Sequence, residues 1–128
     1  MEASKRAAQY YLSQMPKDQA PPWDFRAPTE PETCEDSSAA SCAATGLLEL
    51  ASLVSDEEAV FYKEKAIEIL KMLDTHYATW DNPQEEGLLR GGTANFPKRH
   101  YVEVPIIYSD YFFAEAISKL RGSHINFW

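Results

Sequence analysis

A chain of 128 residues with 45% hydrophobic and 12% aromatic content fits a single domain, residues 1–128, with a real core, which excludes a disordered chain. Its net charge of −8, from 12 Lys and Arg against 20 Asp and Glu, repels phosphate backbones and anionic lipid, so neither nucleic acid nor a membrane surface is an expected partner. No apolar run approaches the roughly 18–20 residues of a bilayer span, and the opening MEASKRAAQYYLSQM scatters charge where a signal peptide needs a continuous apolar stretch, so the expected location is cytoplasmic.

The first expected helix runs from Glu2 to Met15, with Ala3, Ala7, Ala8, Tyr11, Leu12 and Met15 repeating at three and four until Pro16 stops the pattern. Pro16, Pro21, Pro22, Pro28 and Pro31 then remove donors and fix φ, so "PPWDFRAPTEPETCED" is a loop. A second helix starts near Asp36, whose side-chain oxygen and those of Ser37 and Ser38 can serve the first unpaired N–H groups. It carries Ala39, Ala40, Ala43, Leu47, Leu50, Ala51 and Val54 at helical spacing and ends before Ser55. With no large side chain before Leu47, its backbone is suited to lie close to neighbouring backbones. Ser55-Asp56-Glu57-Glu58 is a capping box with acids in the first turn, and it opens the clearest helix. One stripe there is Val60, Ala66, Ile67, Leu70, Leu73 and Tyr77, and a second is Tyr62, Ile69 and Met72, so this helix is expected to pack on two sides. The 27 residues from Asp81 to Ile107 form a long loop, with room for a short β-hairpin between "GLLRGGT" and "HYVEVPII". A fourth helix, Tyr108 to about Arg121, places Tyr111, Phe112, Ala114, Ile117 and Leu120 inward and is stopped by Gly122. The fold class is therefore all-α, with about four helices.

Most catalytic signatures are missing: there is no Gly-rich phosphate loop, no Cys-x-x-Cys, no HExxH and no G-x-S-x-G. His76, His100 and His124 lack metal-ligand spacing, so neither a metal site nor a cofactor is expected. Cys34 and Cys42 are too few for a disulfide framework and are read as reduced and structural, with Cys42 acting as a small hydrophobe in the second helix.

Three groups remain as candidates. Trp23-Asp24 puts an apolar ring beside a carboxylate on a proline-bounded loop, an arrangement that holds sugars by ring stacking and hydroxyl hydrogen bonds; the competing reading is a core ring and a turn-capping acid. Asp36 with Ser37 is either a helix cap near such a site or a cap alone. "GGTANFPKRHY" gathers Asn95, Lys98, Arg99 and His100, the densest positive charge in an acidic chain. It is either a solvated basic loop or a clamp for a carboxylate or sulfate, and in an extended segment Arg99 points away from Lys98 and His100.

The ordered motifs "PPWDF", "CEDSSAASCAATGLLELA", "NPQEEGLLRGG" and "NFPKRHYVEVPIIYSDYFFAEAISKL" resemble the C-terminal third of the unsaturated glucuronyl hydrolases, glycoside hydrolase family 88, and cover nearly the whole chain. The resemblance implies part of an (α/α)6 barrel. It also implies a parent that releases unsaturated glucuronic acid from lyase-generated oligosaccharides by hydrating the C4=C5 vinyl ether, and an unsaturated glycosaminoglycan-type oligosaccharide as partner. The family's catalytic aspartate pair has no match here, so no residue of this chain is assigned as catalytic and the chain alone is expected to be inactive. The loop with Asn95, Lys98 and His100 falls where the family has its leaving-sugar subsite; it departs from the Ser-x-x-Ser-x-Lys pattern of enzymes for sulfated substrates. Trp23 and Asp24, with Asp36 and Ser37 behind them, would wall the barrel mouth. A four-helix arc also leaves open faces for self-association. The alternative is a non-catalytic helical saccharide- or protein-binding module.

Overall fold

A computed structural model describes residues 1–28 and 33–123; Pro31 and His124 lie outside the described residues. Its helices are α1 Glu2–Gln14, α2 Ser37–Ala51, α3 Asp56–His76 and α4 Ile107–Leu120.

Helix α2 is the centre of the molecule, with α3 on one flank, α4 on another and α1 touching it lightly. Its small residues explain this place: Ala40 and Ala44 are fully buried, as are Ser37 and Ser41, and Leu47, Leu48 and Leu50 thicken the core toward the other end. Ser41 Oγ donates to Ser38 O at 3.0 Å, which satisfies one buried hydroxyl inside the helix itself. The helix stops at Ala51 with Ser52 as its C-cap, so Val54 falls in the connection rather than in the helix as the spacing implied.

Helix α3 opens on the expected cap. Ser55 Oγ accepts from Glu58 N at 3.5 Å and donates to Glu58 Oε2 at 3.1 Å. Tyr62, Ala66, Ile69, Leu70 and Leu73 are buried, whereas Val60 is 56% exposed and is not part of the inward stripe to which its spacing assigned it. Lys5 Nζ meets Glu58 Oε1 at 2.5 Å and ties α1 to the start of α3. Helix α1 has no fully buried residue; Ala8, Tyr11, Leu12 and Met15 rest on the core while Ala3 and Ala7 are exposed.

The inward face of α4 differs from the expected one. Ser109, Phe113, Glu115 and Ala116 are buried, and Phe112 is half-buried, but Tyr111, Ala114, Ile117 and Leu120 are exposed. Apolar side chains surround this helix, so periodicity does not fix its rotation; three charged anchors do. Asp110 accepts from Leu88 N (Oδ2, 2.9 Å) and Leu89 N (Oδ1, 3.0 Å), Glu115 Oε2 accepts from Thr45 Oγ1 at 2.7 Å, and Lys119 Nζ pairs with Glu49 Oε2 at 3.0 Å.

The expected hairpin is reduced to isolated bridges, Gly92 with Val104 and Asn95 with His100, without a sheet among the described residues. Its cause is local: Arg99, Tyr101 and Glu103 have φ of 54°, 51° and 51°, left-handed values that interrupt an extended backbone. A further bridge, Ala78 with Leu89, returns the chain to the end of α3. There Gly87 is required by close approach, since a Cβ would sit 2.4 Å from Pro105 Cβ.

Candidate functional site

The loops converge on the N-terminal end of α2. Asp36 caps the helix as its sequence implied, with Oδ1 accepting from Ser38 N at 3.0 Å and Ser38 Oγ at 2.5 Å. The same oxygen also accepts from Thr93 N at 3.0 Å, a contact no local pattern announces. Ser37, fully buried, donates from Oγ to Arg90 O at 2.8 Å, and its N–H donates to Gly91 O at 2.9 Å. Asp36 N donates to Pro21 O at 2.8 Å, bringing in the proline loop. Asp36 and Ser37 thus fasten both loops to one helix end.

Behind this end stands Tyr77. Its hydroxyl donates to Glu35 Oε2 and accepts from Ala20 N at 2.9 Å. Burial, and after it the hydrogen bond to Glu35, pushes the phenol up to about 12, so Tyr77 is a neutral pin at ordinary pH. Gly91, at φ +80°, lets the backbone pass the ring; a Cβ there would approach Tyr77 Cδ1 to 3.0 Å.

Trp23 is half-buried, its backbone N–H donating to Cys34 O at 3.0 Å, and its ring lies 5.4 Å from that of Phe96 with an interplanar angle of 36°. This contact joins the Trp23 loop to the tip at residues 96–99, where the Arg99 guanidinium sits 4.2 Å over the Phe96 ring. Arg99 therefore belongs to a turn, closed by Arg99 N donating to Phe96 O at 3.0 Å, and not to the extended segment expected from alternation. Asn95 Oδ1 accepts from Lys98 N at 3.1 Å and shapes the same turn, leaving Lys98 and His100 exposed at the tip. Asp24 Oδ1 accepts from Arg26 N at 2.8 Å, so this carboxylate organises its own loop.

No motif marks Phe96, although an aromatic beside Pro97 in a long loop is a signal of an ordered tip. The spacing of Tyr11 marks it only as part of a helix face. Its hydroxyl and Trp23 Nε1 are buried without a hydrogen-bond partner among the described residues. Both residues line an open groove of about 630 Å³ with Tyr10, Asp24, Phe25 and Arg26, a size that suits a small ligand. Burial, followed by the nearby Asp36 carboxylate, raises the Tyr11 pKa and keeps its phenol protonated. Cys34 is buried, but Cys42 is exposed, which corrects its reading as a small hydrophobe of the second helix. Partial burial of the sulfur, followed by Glu115 and Asp36, pushes the Cys42 thiol up, which makes it a poor nucleophile.

Three helices around a small-residue central helix, with the two long loops gathered at one end, make this chain a portion of an (α/α)6-barrel enzyme fold. The chain is a homologue of the unsaturated glucuronyl hydrolases, glycoside hydrolase family 88. It is 33% identical over its full length to the enzyme of that name from Bacillus sp. (strain GL1), covering 34% of it, and 30% identical to the one from Formosa agariphila, with 93% of this chain aligned to 30% of that protein. The chain thus spans about a third of the curated relatives it matches. The crystal structure of the Bacillus sp. GL1 enzyme, described as responsible for the degradation of glycosaminoglycan, matches 95% of this chain and 33% of its own at TM-score 0.89 and 34% identity. A variant described with the saccharide dGlcA-Glc-Rha-Glc matches with the same TM-score of 0.89. No protein-family model matches the chain.

Proposed function

We propose that this chain is the C-terminal third of an unsaturated glucuronyl hydrolase and supplies part of the wall of its substrate-binding mouth. The observation that carries this reading is the match of 95% of the chain to an intact enzyme of that family at TM-score 0.89. The substrate class is an oligosaccharide with an unsaturated uronic acid at its non-reducing end, such as a lyase leaves on a glycosaminoglycan. The complete enzyme protonates C4 of the C4=C5 double bond while water adds to C5, and the resulting hemiketal opens to release the second sugar.

This chain contributes no acid or base to that reaction. Lys98 and His100 meet the leaving sugar from the exposed tip; Lys98 offers charge-assisted hydrogen bonds to a carboxylate or sulfate, and His100 offers a ring nitrogen to a hydroxyl. Asn95 holds the turn that presents them. Trp23 and Asp24 are the supporting wall, the ring through its contact with Phe96 and the carboxylate by shaping the loop. Asp36 and Ser37 anchor both segments to α2. Work in a cytoplasm suits the acidic composition and the two free cysteines.

The test compares the chain alone with a joined protein in which it replaces the segment that it matches in the Bacillus sp. (strain GL1) enzyme. Each is incubated with an unsaturated chondroitin or hyaluronan disaccharide while the ultraviolet absorbance of the double bond is followed. Turnover of about 1 per second or more by the joined protein and none by the chain alone is the expected result. A folded joined protein with no turnover refutes the reading. It would favour the second one, a non-catalytic helical saccharide- or protein-binding module.

A further inference from the structure

The turn that follows α3 presents a large apolar ring to water. Trp80 is 61% exposed, although tryptophan is on average a highly buried residue type. Its neighbours on the chain are firmly placed. Tyr77, Ala78 and Thr79 are buried, Thr79 N donates to Leu88 O at 3.0 Å, and Thr79 Oγ1 donates to Gly87 O at 2.5 Å. Asn82 N donates to Thr79 O at 2.9 Å and closes the turn. The ring itself is oriented, because Trp80 Nε1 donates to Asp74 Oδ1 at 2.8 Å in the last turn of α3. One edge of the indole is thereby fixed while its apolar surface is left to solvent. Beside it, Asp81 accepts through Oδ1 from Arg90 Nη2 at 2.7 Å, and with 77% of its side chain exposed it keeps acceptor capacity open to water.

We propose that Trp80 and Asp81 form a surface subsite for a neutral sugar unit of an oligosaccharide. It uses neither the residues of the Trp23 groove nor those of the basic tip. A pyranose offers a face of C–H groups to the indole and hydroxyl donors to the carboxylate, the two chemistries that stand side by side here. Charge decides which sugar unit fits. From Met72 to Leu89 the chain carries Asp74, Asp81, Glu85 and Glu86 and no lysine or arginine. Arg90 is held by Asp81 and by Ala78 O at 3.0 Å, and Lys71 lines the groove between α1 and α3. A uronate or sulfate is repelled by such a surface, so the occupant is a neutral hexose unit. The closed turn also lowers the cost of binding, since no loop has to be ordered when the sugar arrives. The proposal rests on the family reading for the presence of saccharide and adds a second point of contact with it.

The test is a titration of the isotope-labelled chain with cellobiose, a neutral disaccharide, followed by NMR at the indole N–H resonance of Trp80, which is assigned by its loss in Trp80→Phe. A saturable shift at Trp80 with millimolar affinity, without a matching shift at the indole of Trp23, is the expected result. Trp80→Ala changes an exposed position and is expected to leave the amide spectrum of the core unchanged. Binding by this variant, followed at the Asp81 and Asn82 amides, is expected to be weaker by about tenfold or more. The unsaturated chondroitin disaccharide has the same length but is acidic, and it is expected to bind this ring about tenfold more weakly than cellobiose. No saturable shift at Trp80, equal binding by Trp80→Ala, or an equal response to the acidic disaccharide overturns the proposal. So does loss of the shift in the joined protein, which would mean that the rest of the enzyme covers the ring. None of these readouts depends on turnover. The shift in an inactive joined protein sustains the subsite while the functional reading falls, and an active joined protein without the shift does the opposite.

Discussion

Asp36→Ala separates a simple helix cap from a fastener of the site. A cap alone contributes about 1 kcal/mol. In this structure the same carboxylate oxygen also accepts from Thr93 N, in a residue that is 6% exposed, so water is not free to replace the lost acceptor. A hydrogen bond to a charged group contributes roughly 1.5–3 kcal/mol, which brings the expected loss to about 2.5–4 kcal/mol. Asp36→Asn keeps one oxygen in place and is expected to cost about 1 kcal/mol, because only the charge assistance is removed. Denaturant titration gives the global values, and hydrogen exchange at the Thr93 amide gives the local one. Faster exchange at Thr93 and at its neighbours Gly92 and Ala94 is expected in the alanine variant under conditions where the core amides of α3 stay protected. A loss below about 1 kcal/mol with unchanged exchange at Thr93 would mean that the loop is held by other contacts and that Asp36 is a cap only.

Tyr77 gives a prediction at alkaline pH. Its folded pKa is raised from 10.0 to about 12, so its contribution to stability is complete below pH 10 and is lost as the pH rises through 12. Tyr77→Phe is expected to flatten that limb of the stability profile while lowering stability near neutrality by about 1–3 kcal/mol, since Ala20 N loses its buried acceptor; parallel profiles for the two proteins would refute the assignment. In the joined protein, Lys98→Ala is expected to weaken binding of the unsaturated disaccharide by about 1.5–3 kcal/mol by titration calorimetry. Arg99→Ala is expected to leave affinity unchanged and to lower stability by about 0.5–1 kcal/mol through loss of its stack on Phe96; equal effects on affinity would mean that the tip is only a solvated basic surface.

Helix boundaries were legible where a local chemical rule sets them. Ser55 and Glu58 announce α3 within four residues, and Asp36 announces α2. The rotation of α4 was not legible, because its apolar residues serve two faces and the deciding partners, Thr45, Glu49 and the Leu88–Leu89 turn, are remote in sequence. The backbone of the long loop was hidden for a different reason. Arg99, Tyr101 and Glu103 are residue types that carry no signal for left-handed φ, so the alternation of Tyr101, Val102, Glu103 and Val104 read as a strand. At the candidate site the proline loop and the basic tip were each visible as segments. Their meeting was not, because the Trp23–Phe96 contact and the Thr93 amide on Asp36 are products of the tertiary fold.

The left-handed residues of that loop also govern how the chain behaves when it is crowded. Two β-bridges beside an exposed segment rich in Tyr and Val would ordinarily present a row of free N–H and C=O groups that another molecule can extend into a growing sheet. Placing Arg99, Tyr101 and Glu103 at positive φ turns successive peptide groups out of register, at a cost of about 1–2 kcal/mol per residue. Val102 and Val104 therefore lie in a segment that cannot serve as a template for in-register stacking. The irregular backbone protects the chain from sheet-mediated aggregation at the loop where its β-forming residues are most concentrated.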